Sequence, residues 1–320
     1  MKPATLLEPG ALDADDASVP VAAAQPGVFA DFCELVKARL TSLVLVTTLA
    51  GFYMGWDGPM DFLRLLNTML GTALVAAGAG ALNQLIERGP DALMHRTRER
   101  PLPAGRMRPD TALLIGFGLV AGGLLYLFFL VNALSSALAA LTMASYVFVY
   151  TPLKQVTSLN TLVGAVPGAL PPVIGWAAAR GTIGVEAGAL FTILFCWQMP
   201  HFLAIAWLYR EDYARGGFVM LTHEDEHGAA TGRQAVNYSF ALLLVSLTPS
   251  LLGMAGREYF LGAFLLGAGM VCCAARMQLA PARIQARQLF FASIIYLPLL
   301  LALLAFAKLP PPVWSIVPVK

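Results

Sequence analysis

Charge is scarce in this sequence. Asp, Glu, Lys and Arg make up 12% of its 320 residues and apolar residues 58%, whereas about a quarter of a soluble domain is charged. With a mean hydropathy of +0.69, this excludes a soluble enzyme or a nucleic-acid-binding protein and leaves an integral membrane protein. Cysteine is sparser still. Cys33, Cys196, Cys272 and Cys273 have no metal-ligand spacing, and three fall in apolar runs, so they read as packing residues, not disulfides or a cluster. The beginning of the chain lacks the charged start and apolar core of a signal peptide. Its one lysine, Lys2, against Glu8, Asp13, Asp15 and Asp16 also makes it too acidic for a transit peptide. Residues 1–28 read as a disordered tail, residues 29–320 as the membrane domain, and the first membrane helix as the targeting signal.

What is abundant is long apolar runs. About nine are near the ~20 residues that cross a bilayer, roughly at 34–56, 62–87, 111–131, 134–151, 159–179, 187–209, 236–255, 257–275 and 289–307. The expected fold is all-α: a polytopic bundle around a central cavity. With a cytoplasmic N-terminus, 16 of the 21 Lys/Arg residues fall inside, as the positive-inside rule demands. That places the loops after the second, fourth, sixth and eighth spans on the cytoplasmic face; the membrane expected is a bacterial inner membrane.

One of those loops organises the rest. Residues 83–109, NQLIERGPDALMHRTRERPLPAGRMRP, lie between two apolar runs and hold Arg88, Arg96, Arg98, Arg100, Arg106 and Arg108, with no lysine. Asn83 and Glu87 stand four apart and share a helix face. Gly89-Pro90 is expected to end the helix near Glu87 or Arg88, with Asp91 capping a short new helix over residues 92–95. Carboxylates at a helix C-terminus need a cation, because unpaired carbonyls already make that end negative. Carboxylates that bind Mg²⁺, beside arginines that fork onto phosphate oxygens, are what diphosphate recognition requires. A plain positive-inside loop with a few capping acids accounts for the spacing equally well.

A second long polar loop, 210–234, follows another acidic helix end, Glu211/Asp212. It suggests a divergent duplication with two acidic ends facing one cavity. The fifth span carries Asn160, Gly164, Pro167, Gly168, Pro171, Pro172 and Gly175, small residues and prolines suited to close helix contact and freed carbonyls. The sixth places Gln198, Pro200 and His201 inside the apolar slab, where a polar residue is a functional candidate by default. Trp176 and Trp197 read as packing residues, and His95, His223 and His227 as solvated loop histidines.

These residues resemble the UbiA-type intramembrane prenyltransferases. The stretch 83–109 is similar to that superfamily's first aspartate-rich motif, N-x-x-x-D-x-x-x-D, followed by R-T-x-x-R-P-L/I-P-x-G-R. Tyr150-Thr151-Pro152-Leu153-Lys154, the run from Asn160 to Trp176, Trp197-Gln198-Met199-Pro200-His201-Phe202 and Asp212-Tyr213 look like its heme-farnesylating branch. The resemblance covers residues 30–305. Glu87 departs from the usual Asp, and THEDEHG from the proline-containing loop expected after Met220-Leu221.

The resemblance implies transfer of a farnesyl group from farnesyl diphosphate to a vinyl group of heme B, with water added. It implies Mg²⁺ held by Asn83, Glu87 and Asp91, with Arg96 and Arg100 on phosphate oxygens. Lys154 and Asp212 would complete the diphosphate and metal site, Tyr150 and Tyr213 would lie near the reacting carbon, and His201 would contact heme. Expected partners are the lipid bilayer and terminal oxidase assembly, including heme A synthase. Two rivals remain: a superfamily member acting on a quinone precursor, which would share the metal site, and a secondary transporter with proline-broken helices.

Overall fold

The computed structural model describes residues 27–310. The tail expected over 1–28 lies, up to residue 26, outside the described residues. A short helix α1 (Val28–Leu35) leads into α2 (Ala38–Gly55), α3 (Phe62–Leu93) and α4 (Pro109–Leu130). Next, α5 (Ala133–Ala144) continues through a π-helical stretch, Ser145–Tyr150, into α6 (Thr151–Leu153). The pair α7 (Asn160–Ala169) and α8 (Pro171–Arg180) forms one pass jointed at Leu170, and α9 (Val185–Leu208) follows. Beyond it are the short α10 (Arg210–Arg215) and α11 (Leu221–Glu224), then α12 (Ala229–Val245), α13 (Thr248–Leu251), α14 (Arg257–Leu279) and α15 (Arg283–Phe306). Among the described residues the sole β pairing is an isolated bridge between Ala255 and Lys308.

Contacts between loops sort the helix ends into two faces. At one, Arg106 pairs with Asp31, the Val219 N–H donates to Lys154 O at 2.7 Å, and Asp212 accepts from the turn at His95. At the other, Lys308 donates to Tyr53 O at 2.6 Å, Arg180 pairs with Asp57, and Asn132 donates to Ala177 O. Successive passes therefore alternate in direction. Eight are long and apolar enough to cross a membrane. A ninth consists of α12, 17 residues long, extended by α13 after a turn at Ser246, whose hydroxyl meets the Tyr296 hydroxyl at 2.6 Å. That turn, within the expected seventh span, is what the hydropathy pattern could not show.

The α7–α8 pass is the centre of the bundle, 72% buried, while the α4 pass is 22% buried and faces outward. Backbones touch where α8 crosses α2. A Cβ on Gly175 would lie 2.0 Å from Thr48 O, and one on Gly51 1.9 Å from Pro172 O. Small residues allow this approach, as in membrane bundles generally.

One local expectation is overturned. The helix does not stop before Gly89-Pro90; α3 runs through Pro90 to Leu93. Proline costs a helix one hydrogen bond and crowds the carbonyl four residues back. Here that carbonyl belongs to Ile86, whose residue is exposed, and the helix has less than one turn left to run. Asp91 therefore caps no new helix; it occupies the last turn of α3.

Candidate active site

Because α3 continues, Asn83, Glu87 and Asp91 lie on one face at four-residue steps. All three are buried, at 0%, 5% and 1% exposure. A carboxylate so far from water needs a partner, and each has one from a different segment. Lys154 Nζ, just past α6, is 2.7 Å from Glu87 Oε1, and Arg100 Nη1, from the loop, is 2.6 Å from Asp91 Oδ2. Asn83 donates from Nδ2 to Thr151 Oγ1 at 2.8 Å and accepts at Oδ1 from Lys37 Nζ. Lys37, which also reaches the Tyr146 hydroxyl at 3.1 Å, precedes α2 with φ 49°. It is the one non-glycine residue among those described with positive φ, a strained conformation of the kind found at functional sites. Burial disfavours the Lys154 ammonium, but Tyr150 and Glu87 outweigh it and hold its pKa above the ordinary lysine value.

Below this cluster lies a cavity of about 260 Å³. Its polar end is formed by Lys37, Tyr146, Tyr150 and Lys154, and its body by Val44, Val75, Met143, Ile174 and Phe202, with Gln198 at one side. The π-helical stretch shapes the wall. It stacks Tyr146 and Tyr150 with centroids 5.8 Å apart and sets Lys154 Nζ 4.6 Å from the Tyr150 ring centre. The Thr151 hydroxyl donates to Tyr146 O at 2.8 Å. Such π turns recur at functional sites because the extra residue re-aims side chains.

Other expected site residues lie elsewhere. Asp212 is buried but is not brought to this cluster. It accepts from the N–H groups of His95 (3.1 Å) and Arg96 (3.3 Å) and from Arg215. Burial pushes its carboxyl up, yet these donors outweigh that and hold it below the usual carboxylate range. It lines a separate polar cleft with His95, Tyr209 and Arg283. Glu211 is exposed, so the two acidic helix ends do not face one cavity. Asp212 instead ties the second loop to the first through that loop's backbone amides. Arg96 lays its guanidinium 5.5 Å from the Tyr209 ring centre and 5.8 Å from that of Tyr213. Tyr213 packs on Met94, Phe218 and Met220 beside the cavity and does not line it. His201 lies between α9 and α15, stacked with Trp197 and Phe290, its Nδ1 2.8 Å from Ser293 Oγ. Its neighbours Gln198 and Phe202 face the cavity. The four cysteines are free thiols, as expected; Cys196 is buried as a packing residue would be, whereas Cys272 is exposed.

Lys37, Tyr146 and Thr151 are the site residues that the sequence pattern missed. Lys37 had a visible signal, a lone lysine at the very start of an apolar run, and Tyr146 stands one helical step before Tyr150. Among the described residues, no group of three His, Cys, Asp or Glu side chains is arranged to hold an ion alone. Glu87, Asp91 and the Asn83 amide nonetheless offer the hard oxygen donors that suit Mg²⁺ when substrate phosphates complete its shell.

A multi-pass helical bundle in which two lysines lining an apolar cavity reach back to a buried polar ladder fits a membrane-embedded transferase of isoprenoid chains. The pattern of the UbiA prenyltransferase family matches residues 44–295, and the chain belongs to that family. It is 47% identical over 283 residues to the protoheme IX farnesyltransferase of Solibacter usitatus, covering 86% of this chain and 97% of that one. It is 44% identical over 298 residues to the protoheme IX farnesyltransferase of Koribacter versatilis, covering 89% and 96%. The fold matches a structure of digeranylgeranylglyceryl phosphate synthase at a TM-score of 0.74 and 15% identity, over 87% of this chain and 97% of that one. It also matches a UbiA homolog from Archaeoglobus fulgidus bound to DMAPP and Mg²⁺ at a TM-score of 0.60 and 14% identity, over 86% and 99%.

Proposed function

We propose that this protein transfers a farnesyl group from farnesyl diphosphate to a vinyl group of heme B, with hydration, to give heme O. The observation that carries the reading is the buried Asn83–Glu87–Asp91 face, met by Arg100 and by Lys37 and Lys154, the two lysines that line the polar end of an apolar cavity. The names of relatives that share nearly the whole chain support the acceptor. The rival readings, a quinone precursor as acceptor or a transport cycle, have no such support.

Asn83, Glu87 and Asp91 would hold Mg²⁺, which when bound offsets the negative charge developing on the departing diphosphate. Arg100 and Lys154 donate to phosphate oxygens, with Arg96 at the rim. The allylic C–O bond breaks with its electron pair leaving on the diphosphate, and cations already in place stabilise that charge where it appears. The vinyl π pair then forms the new C–C bond to the allylic carbon. Water adds to the resulting cationic carbon and loses a proton, leaving the hydroxyl. Tyr150 lines the cavity beside Lys154 and shields the allylic cation from early capture by water. Tyr213 supports the opposing loop, whose Asp212 holds the turn that carries Arg96. His201 is the heme contact.

Residues 29–320 act as one domain in a bacterial inner membrane. The distribution of Lys and Arg supports a site that faces the cytoplasm, and the product passes to terminal oxidase assembly, including heme A synthase. The test is mass spectrometry of hemes extracted from cells with and without the protein. Farnesylated heme is expected only with it. Wild-type heme O levels from both Glu87→Gln and Asp91→Asn would overturn the site assignment.

A further inference from the structure

Ser293, on α15, is fully buried and holds three groups at once. Its hydroxyl donates to Phe290 O at 2.6 Å, its carbonyl accepts from Trp197 Nε1 at 2.8 Å, and its Oγ is 2.8 Å from His201 Nδ1. A serine hydroxyl has one hydrogen to give, and here the Phe290 carbonyl takes it. The contact with His201 must then run the other way, with Nδ1–H donating to Ser293 Oγ. A neutral imidazole protonated on Nδ1 has a bare lone pair on Nε2.

That nitrogen has no hydrogen-bond partner among the described residues. It is not among the sealed polar atoms, and His201 is half-buried. The Trp197 and Phe290 rings, each with its centroid 5.1 Å from that of His201 and tilted by 20° and 27°, fix the plane of the imidazole. A histidine kept only for packing gains nothing from a locked tautomer with one open nitrogen. A metal-binding histidine does, because a second partner on the far nitrogen sets ring orientation and ligand basicity.

We propose that His201 binds the iron of the porphyrin substrate through Nε2, and that Ser293 is the positioning residue that keeps that nitrogen bare. This rests on the heme reading above. Imidazole nitrogen is a common ligand of heme iron. His201 lies seven residues before the end of α9, about 10 Å into the bundle, and Glu87 six before the end of α3, about 9 Å in. Both ends belong to the arginine-rich face, so the iron and the diphosphate sit at similar depth. From there the acidic edge of the porphyrin can reach water. Gln198 and Phe202, on the same helix, border the cavity, which sets the porphyrin beside the prenyl chain.

The test uses the full chain in detergent micelles, titrated with ferric protoporphyrin IX and, separately, with metal-free protoporphyrin IX. Wild type should bind the iron porphyrin more tightly, with the Soret shift of imidazole ligation. His201→Ala should lower iron-porphyrin affinity to the metal-free level and leave metal-free binding unchanged, and added imidazole should restore the Soret position. Ser293→Ala should weaken iron-porphyrin binding by about 10–100-fold, while Ser293→Thr retains it. This Ser293 contrast decides the question if His201→Ala does not fold. Unchanged iron-porphyrin affinity and Soret position in His201→Ala, or equal loss for both porphyrins, would overturn the proposal. Heme O formation by wild type in cell membranes, assayed alongside, separates the two claims, since ligation can fail while farnesylation stands.

Discussion

Breaking the Glu87–Lys154 pair tests the site most directly. The two charges are 2.7 Å apart, and their side chains are 6% and 13% exposed. At an effective dielectric of about 20, unit charges that close attract by roughly 6 kcal/mol, most of which offsets the cost of taking both from water. Removing one partner keeps the desolvation cost and forfeits the attraction, so Glu87→Gln or Lys154→Met should each destabilise by about 3 kcal/mol. The double variant has neither charge and should cost little more than either single one, a coupling of at least about 2 kcal/mol. The residual interaction of Lys154 with the Tyr150 ring, 4.6 Å away, makes Glu87→Gln the milder single change. Reversible unfolding in mixed micelles measures all four corners of the cycle, and calorimetry with a prenyl diphosphate reads binding in the folded proteins. Single effects that add within about 0.5 kcal/mol would show that the pair does not hold this site together.

Lys37→Met should weaken prenyl diphosphate binding at least tenfold while the protein stays monodisperse; unchanged calorimetric binding would remove Lys37 from the site. Chelating divalent cations should abolish that binding in wild type, and Asp91→Asn should raise the Mg²⁺ concentration that restores it. Asp225 accepts from the Thr231 amide and hydroxyl, both at 2.7 Å, at the start of α12. Burial pushes its carboxyl up, but those donors outweigh it and hold it below the usual range. Its stabilising effect is therefore complete above pH ~4 and lost as pH falls through the lower folded value. Asp225→Ala should cost about 1 kcal/mol, and a thermal-melt series from pH 6 to pH 3 should show a smaller acid loss than wild type. Gly175→Ala must part α2 from α8 and should cost about 1–3 kcal/mol, whereas Gly118→Ala, with nothing within 4 Å, should leave the melting temperature unchanged.

The passes and their alternation were legible because lipid imposes length and hydropathy on every crossing helix. The four-residue ladder Asn83, Glu87, Asp91 was legible because spacing alone decides which residues share a helix face. The continuation of α3 through Pro90 was not. A proline less than one turn from a helix end, with an exposed residue four places back, costs too little to stop the helix, and exposure is not written in the sequence. Lys37 escaped notice because its contact with Asn83 spans 46 positions and depends on a strained backbone. Asp212 misled because an acid near a helix end looks the same whether it faces a cavity or the amides of another loop.

These differences bear on one another. Over eight residues α3 sets its three polar side chains along about 12 Å, and only because Pro90 does not break it. The groups that make the ladder tolerable in a buried place arrive from other parts of the chain: Lys37 before α2, Thr151 and Lys154 from the end of the fourth pass, and Arg100 from the loop that Asp212 anchors. None is a neighbour of α3 in sequence except through that loop. The carboxylates can lose their water only when those segments converge, so the site cannot form ahead of the bundle. Asp212, although away from the cavity, still bears on it, because the turn it holds at His95 and Arg96 leads directly into Arg100.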